Sequence, residues 1–269
     1  MNNEKVLQSG SVNGATLEVV EVTRLEGAKT PGQAMGLHFI NESGASMKFI
    51  RAKLTGGSVT TEAGALYYSK GKIQNNVETG GVTGIIGKMV KKSLTNETAF
   101  NPTYSGNGEV ILEPSFGHYL LVELTNDEII VDKGMFYCCI GDIKITPKMQ
   151  TSISGAVMGG EGLFQTKISG TGWVALELPA PMSEIEMFNL NDETVQVDGN
   201  FAILRSGGIN FTVEKSAKGL ITSALGGEGF LCTFRGTGMV WLAPTAPVYD
   251  KMVFGGMMAV QSGSSNNKQ

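Results

Sequence analysis

Histidine and cysteine are scarce in this chain, at 2 and 3 of 269 residues, and that scarcity removes several kinds of chemistry. His38 and His118 belong to no HEXXH pattern, and no CxxC is present, so the common zinc signatures are missing. Each histidine is expected on a strand. Cys138, Cys139 and Cys232 are odd in number, and the adjacent pair cannot easily bridge itself, so no disulfide framework is expected and the cytoplasm is the compartment that fits. Alternation along MFYCCIG would turn one thiol of Cys138-Cys139 inward and the other outward. No Gly-x-Ser-x-Gly elbow is found, and nothing else in the sequence assembles a catalytic set. No run approaches 18 apolar residues, so no transmembrane segment is expected. The first residues, MNNEKVLQSGSVNG, lack the basic and apolar regions of a secretory signal and the Arg-rich helix of a transit peptide. A formal charge of −4, without a long stripe of Lys and Arg, supplies no electrostatic reason to bind DNA.

Glycine, by contrast, is abundant at 37 residues, and much of it falls in a repeat. GGEGLFQTKISGTGWVALELPAP, from Gly159 to Pro181, returns one residue shorter as GGEGFLCTFRGTGMVWLAPTAP, from Gly226 to Pro247. A looser version upstream, LTNETAFNPTYSGNGEVILEPS, keeps Glu97, the pair Gly106/Gly108 and Pro114. A second set of landmarks runs without gaps from Leu54, Leu124 and Leu190. In each, an acid (Glu62, Asp132, Asp198) is followed two residues later by Gly64, Gly134 or Asn200, residues that tolerate a left-handed backbone in a turn. The first glycines of the Gly-x-Gly pairs lie 64 and 66 residues apart, and the acids 70 and 66.

Between these landmarks stand short runs rich in Val, Ile, Phe and Tyr, such as HYLLVEL, EIIVD and DIKIT, broken by Gly, Asn, Asp or Pro. The pattern predicts an all-β protein of sandwich or barrel type in three tandem copies, 45–114, 115–181 and 182–247. Residues 1–44 are expected to add strands that complete the sheets, with Leu17–Val22 and Met35–Ile40 as strands around a loop at Gly27–Gln33. Residues 248–269 read as a C-terminal strand and a disordered tail, the whole forming one compact unit. Continuous helical periodicity is expected only at Gly84–Leu94, where Lys88, Lys91 and Lys92 lie opposite Ile85, Ile86, Met89 and Val90 and offer a small basic face to a partner or a membrane surface. Three packed copies would also cover sheet edges that invite aggregation.

Two features of the repeat invite a functional reading. Glu97, Glu161 and Glu228 occupy one position in three copies and would form a hard-cation site if they met at an axis, although a turn acid that accepts backbone N–H groups explains them as well. The pairs Gly106/Gly108, Gly170/Gly172 and Gly236/Gly238 lack the third glycine and the helix of a nucleotide site, so a tight hairpin or a bulge between strands is expected. No cofactor is expected.

The strings LEPSFGHYLLVEL, DEIIVDKGMFYCC, GGEGLFQTKISGTGWV, VDGNFAILR, FTVEKS and FRGTGMVWLAPT resemble the bacterial members of the altered-inheritance-of-mitochondria (mitochondrial biogenesis) family over nearly the whole chain. That resemblance implies a threefold-duplicated double-stranded β-helix similar to the trp RNA-binding attenuation protein, with the copies packed about a pseudo-threefold axis. It also implies relatives linked to the mitochondrial inner membrane and its cristae. The expectation is a non-enzymatic scaffold or binding module with a protein or membrane-surface partner. The alternative is a small-molecule or nucleic-acid-binding module that uses grooves between repeats.

Overall fold

The computed structural model describes residues 3–76, 101–150, 163–199, 201–215 and 230–252. The described residues are mostly β-strand, and the strands pair antiparallel. The chain divides into two compact units, Met1–Met149 with Phe164–Leu178, and Gln150–Leu163 with Pro179–Gln269.

The first unit opens with a hairpin of β1 (Glu4–Val12) and β2 (Ala15–Val22), whose turn is made by Asn13 at φ 50° and Gly14 at φ 72°. After α1 (Pro31–Glu42) come β3 (Met47–Thr61), β4 (Leu66–Asn76), β5 (Thr103–Leu112), β6 (His118–Asp132), β7 (Phe136–Gln150) and β8 (Leu163–Leu178). Within this unit the sheet runs β1-β2-β3-β7-β8-β6, while β5 also pairs with β3 and carries β4 on its other side. Its two ends approach one another through one side chain. Gln8 of β1 accepts from Leu121 N at 2.8 Å and donates to the Tyr119 carbonyl at 3.3 Å, so its amide stands in for a rung of the ladder along β6. A bulge at Leu7, between Val6 and Gln8, coincides with that side-chain rung.

The second unit contains a 3₁₀ turn (Met182–Glu184), then β9 (Glu186–Asp198), β10 (Ala202–Ser206), β11 (Asn210–Lys215) and β12 (Phe230–Leu242). Here β12 is central, with β9 on one side and β10 followed by β11 on the other.

The Gly-x-Gly pairs lie inside β5, β8 and β12, not between strands, which corrects the hairpin reading and leaves the bulge. The ladder slips at each: between Thr55 and Ser58 opposite Asn107 and Ser105, between Thr125 and Asp127 opposite Thr171 and Gly170, and between Gly236 and Gly238. The φ angles agree closely, at 132°, 130° and 131° for the first glycines and 151°, 155° and 144° for the second. A left-handed residue sits on the neighbouring strand each time, as Gly56, Asn126 or Asp192. The need for glycine is local: a Cβ on Gly106 or Gly170 would strike the carbonyl oxygen of Lys72 or Asp142, and one on Gly108 or Gly172 that of Lys70 or Ile140.

Register also requires these strands to bend. Asp198 pairs with Leu231 and Ala202 with Leu242, so four residues of chain connect points that lie eleven residues apart on β12. Four residues reach at most about 14 Å, whereas eleven residues of straight strand cover about 36 Å. The strand therefore bends, and the bulge marks the corner.

Two expectations are corrected. Met35–Ile40 is helical, because the Thr30 hydroxyl accepts from Gln33 N at 3.2 Å, the Gln33 side chain accepts from Lys29 N at 2.8 Å, and Pro31 occupies the first turn. Those caps decide a run whose periodicity suits either element. Residues 246–252 are likewise helical, not strand, with Val248 N and Tyr249 N both donating to the Thr245 carbonyl, at 2.9 and 3.2 Å. The helix expected at Gly84–Leu94 lies outside the described residues.

The first unit's core gathers Leu17, Val19, Ile50, Leu54, Val59, Val110 and Leu112 with Tyr119, Tyr137 and Ile140. The second packs Leu190, Val197, Phe211, Phe234, Val240 and Leu242, with the Phe211 and Phe234 rings 5.0 Å apart. From Met135 to Ile140 six successive residues are buried, which means both faces of β7 are covered there. Both thiols of Cys138-Cys139 are thus inside, and the expectation of one outward thiol is corrected.

Candidate binding surfaces

Glu97, Glu161 and Glu228 lie outside the described residues, as do Lys88, Lys91 and Lys92. Among the described residues no three His, Cys, Asp or Glu side chains are grouped to hold a metal ion. His38 is on exposed α1, its ring 5.5 Å from that of Phe39, which corrects its placement on a strand; His118 opens β6 as a strand residue.

The three cysteines are buried. Burial pushes the Cys138 thiol far up, with the neighbouring Cys139 adding to the effect, and burial lifts Cys139 to about 12. Both stay protonated at neutral pH, so neither is an activated nucleophile.

Polar groups inside the first unit are held by matched partners. On β1, β2 and β3, Arg51 donates through Nη1 to Glu4 and through Nε to Glu18, both at 2.8 Å, and Lys53 reaches Glu18 at 2.7 Å. Burial works to raise the Glu18 carboxyl, but the bonds from Lys53 and Arg51 outweigh it and hold it below the ordinary carboxylate range. On β6, β7 and β8, the Tyr119 and Tyr137 rings lie 5.1 Å apart. Tyr119 Oη is 2.8 Å from Ser115 Oγ, and Tyr137 Oη donates to the Glu113 carbonyl at 3.0 Å. Burial raises the Glu177 carboxyl next to them, partly offset by a bond from Ser115. These clusters fix strands to one another.

Two features face outward instead. A depression of about 300 Å³ is lined by Val12 and Asn13 of the first hairpin, Gly56, Gly57 and Ser58 of β3, Ser105 of β5 and Gly141 of β7. It lies beside the β3–β5 bulge, where glycines leave backbone in place of side chains, and it carries hydroxyl and amide groups but no ionisable side chain. The other feature is α1. None of its twelve residues is buried, and Met35 and Phe39, one turn apart, are 59% and 62% exposed. Sequence reasoning missed it, although Thr30-Pro31 with Gln33 carries a helix-start signal.

The bent, glycine-cornered strands and the antiparallel pairings among the described residues define an all-β protein. The chain belongs to the family described as mitochondrial biogenesis AIM24, whose model matches residues 40–245. It is similar to an uncharacterized protein of Streptococcus pyogenes serotype M6, 25% identical over 195 residues that span 70% of this chain and 77% of the relative. It is also similar in fold to an X-ray structure of a protein from Streptococcus pyogenes, with a TM-score of 0.54 at 22% identity, covering 73% of this chain and 87% of that one. No helix among the described residues is long and apolar enough to cross a membrane.

Proposed function

We propose that this protein is a non-enzymatic scaffold or binding module of the cytoplasm, and that α1 is the surface through which it meets a protein partner. The observation that carries the proposal is the helix with nothing buried. Isolated helices of about 12 residues are marginal in water and draw their stability from packing an apolar face, and α1 presents Met35 and Phe39 to solvent. The helix contains no Lys or Arg, so it lacks the basic face that draws amphipathic helices to anionic lipid. A protein groove is the better match. The buried, protonated thiols of Cys138 and Cys139 agree with a reducing compartment.

The body that presents α1 is, in this reading, three copies of one three-stranded unit, β3-β5-β4, β6-β8-β7 and β9-β12-β10/β11, packed about a pseudo-threefold axis as a double-stranded β-helix. Support comes from the recurring bulges and from φ angles that agree to within a few degrees at the first glycines.

Capture of partners from the native cell tests the function, with the wild-type chain set against a Met35→Asp/Phe39→Asp variant, alongside sedimentation with anionic liposomes. Proteins retained by the wild type and lost by the variant support it. Identical capture by both, or variant-sensitive binding to liposomes alone, overturns the role of α1 as a protein contact. The depression favours a second reading, a small-molecule or nucleic-acid-binding module that uses a groove between the first two copies. Thermal shift against a metabolite panel and RNA addresses it, since a ligand that binds the folded state raises the melting temperature by mass action.

A further inference from the structure

In the second unit, the helical residues 246–252 and Thr245 before them are joined to the 3₁₀ turn by hydroxyls on one carboxylate. Thr245 Oγ1 donates to Glu184 Oε2 at 2.6 Å, and Tyr249 Oη lies 2.9 Å from both Glu184 oxygens. Thr245 and Tyr249 are four residues apart on a helical turn, so both hydroxyls project from the same side. Glu184 is in turn held by the 3₁₀ turn, with Glu184 N donating to the Pro181 carbonyl at 2.8 Å and Ile185 buried behind it. Burial contributes little to the attachment: Val248, Tyr249 and Met252 stay 48%, 43% and 65% exposed. The fixed part of the chain ends just before, at Ala243, which is fully buried and donates its N–H to the Phe201 carbonyl at 2.8 Å.

We propose that Glu184 and Tyr249 form a releasable latch that frees residues 244–252 when the charge on either partner changes. Bonds to an ionised carboxylate are about twice as strong as neutral ones, so the attachment depends on Glu184 being charged and on Tyr249 keeping its proton. The same carboxylate favours the protonated phenol, pushing the Tyr249 hydroxyl up through the hydrogen bond. Neutralising Glu184 halves the attraction; placing a negative charge at position 249 sets two anions against each other. In both cases the exposed segment has little apolar contact to keep it in place.

Limited trypsin digestion of the full chain reads the latch, because Lys251 lies in the segment and Arg235 lies inside β12 as a reference for the rest of the unit. Glu184→Gln and Tyr249→Glu are expected to speed cleavage after Lys251 about tenfold or more, with Arg235 as resistant as in the wild type. Tyr249→Phe, which removes one donor and keeps the ring, is expected to give a smaller rise. Cleavage at Lys251 that does not change in either charge variant overturns the proposal. Cleavage at Arg235 that rises in step also overturns it, since the carboxylate would then be supporting the whole unit instead of a detachable segment.

Discussion

β7 and β4 stand at corresponding places behind the Leu124 and Leu54 landmarks, yet they live in opposite surroundings. Tyr137 is 7% exposed, its hydroxyl bonded to the Glu113 carbonyl, and the next two residues, Cys138 and Cys139, pair with Thr61 and Thr60 of β3. Tyr67, at the same offset, is 61% exposed and Tyr68 50%, and among the described residues of its unit β4 pairs with β5 alone. Each strand faces a corresponding pair of corner glycines, Gly106 and Gly108 for β4 and Gly170 and Gly172 for β7. What separates them is a neighbour: a strand end of β3 lies along β7, and among the described residues of the unit none lies in that way along β4. Local sequence therefore sets the bend, while burial is set by which strand arrives alongside.

The sharpest way to break the shared part of this comparison is at a corner. Gly172→Ala puts a methyl group into the Ile140 carbonyl at φ 155°, and a loss of about 3 kcal/mol or more in unfolding free energy is expected by denaturant titration. Gly108→Ala should match it, since its surroundings on β4 are the same. Next in size is the divergent part: Tyr137→Ala should cost about 3 kcal/mol, whereas Tyr67→Ala should fall within about 0.5 kcal/mol. Equal losses would mean that Tyr67 is covered too.

The thiols provide a pH test. Cys139 rises from an ordinary 9.0 to about 12 on folding, so the unfolded chain loses this proton first as pH increases. Its contribution to stability is complete below pH 9 and disappears progressively toward pH 12. Native protein at pH 8 should leave Cys138 and Cys139 unlabelled by a thiol reagent, and a Cys138→Ala/Cys139→Ala variant should show a shallower alkaline loss of melting temperature. The smallest effect is expected at Gly64→Ala: its φ of 88° strains any side chain, but nothing lies within 4 Å, so about 1 kcal/mol should be lost.

Much of this was legible in the residues because turns and corners are written in glycine. The strings from Leu54, Leu124 and Leu190 located β3, β6 and β9, and the Gly-x-Gly pairs located the bulges opposite them, since the backbone at those positions takes a positive φ that side chains rarely adopt. Less could be read where two periodicities fit one run. MGLHFI alternates acceptably for a strand, and only the caps at Thr30, Gln33 and Ser43 make it a helix. Alternation also failed at Cys138-Cys139, because it presumes a sheet with one wet face and β7 has none at that point. Gln8 could not have been singled out at all: its role comes from a contact with β6, more than a hundred residues away. The glutamates that drew most attention in the sequence, Glu97, Glu161 and Glu228, lie outside the described residues, and the exposed surface instead belongs to α1.

The placement of the bent strand has a consequence for the order of folding. In every set the central strand is the last to be made, so β4 cannot find its ladder, and β3, already paired with β2, cannot complete its own, until β5 has left the ribosome; β9 and β11 wait in the same way for β12. Thr60 and Thr103, which share a side-chain hydrogen bond, are separated by 43 positions. Assembly should therefore advance in three delayed steps, each completed by the arrival of one glycine-cornered strand, with long-range closure setting the rate.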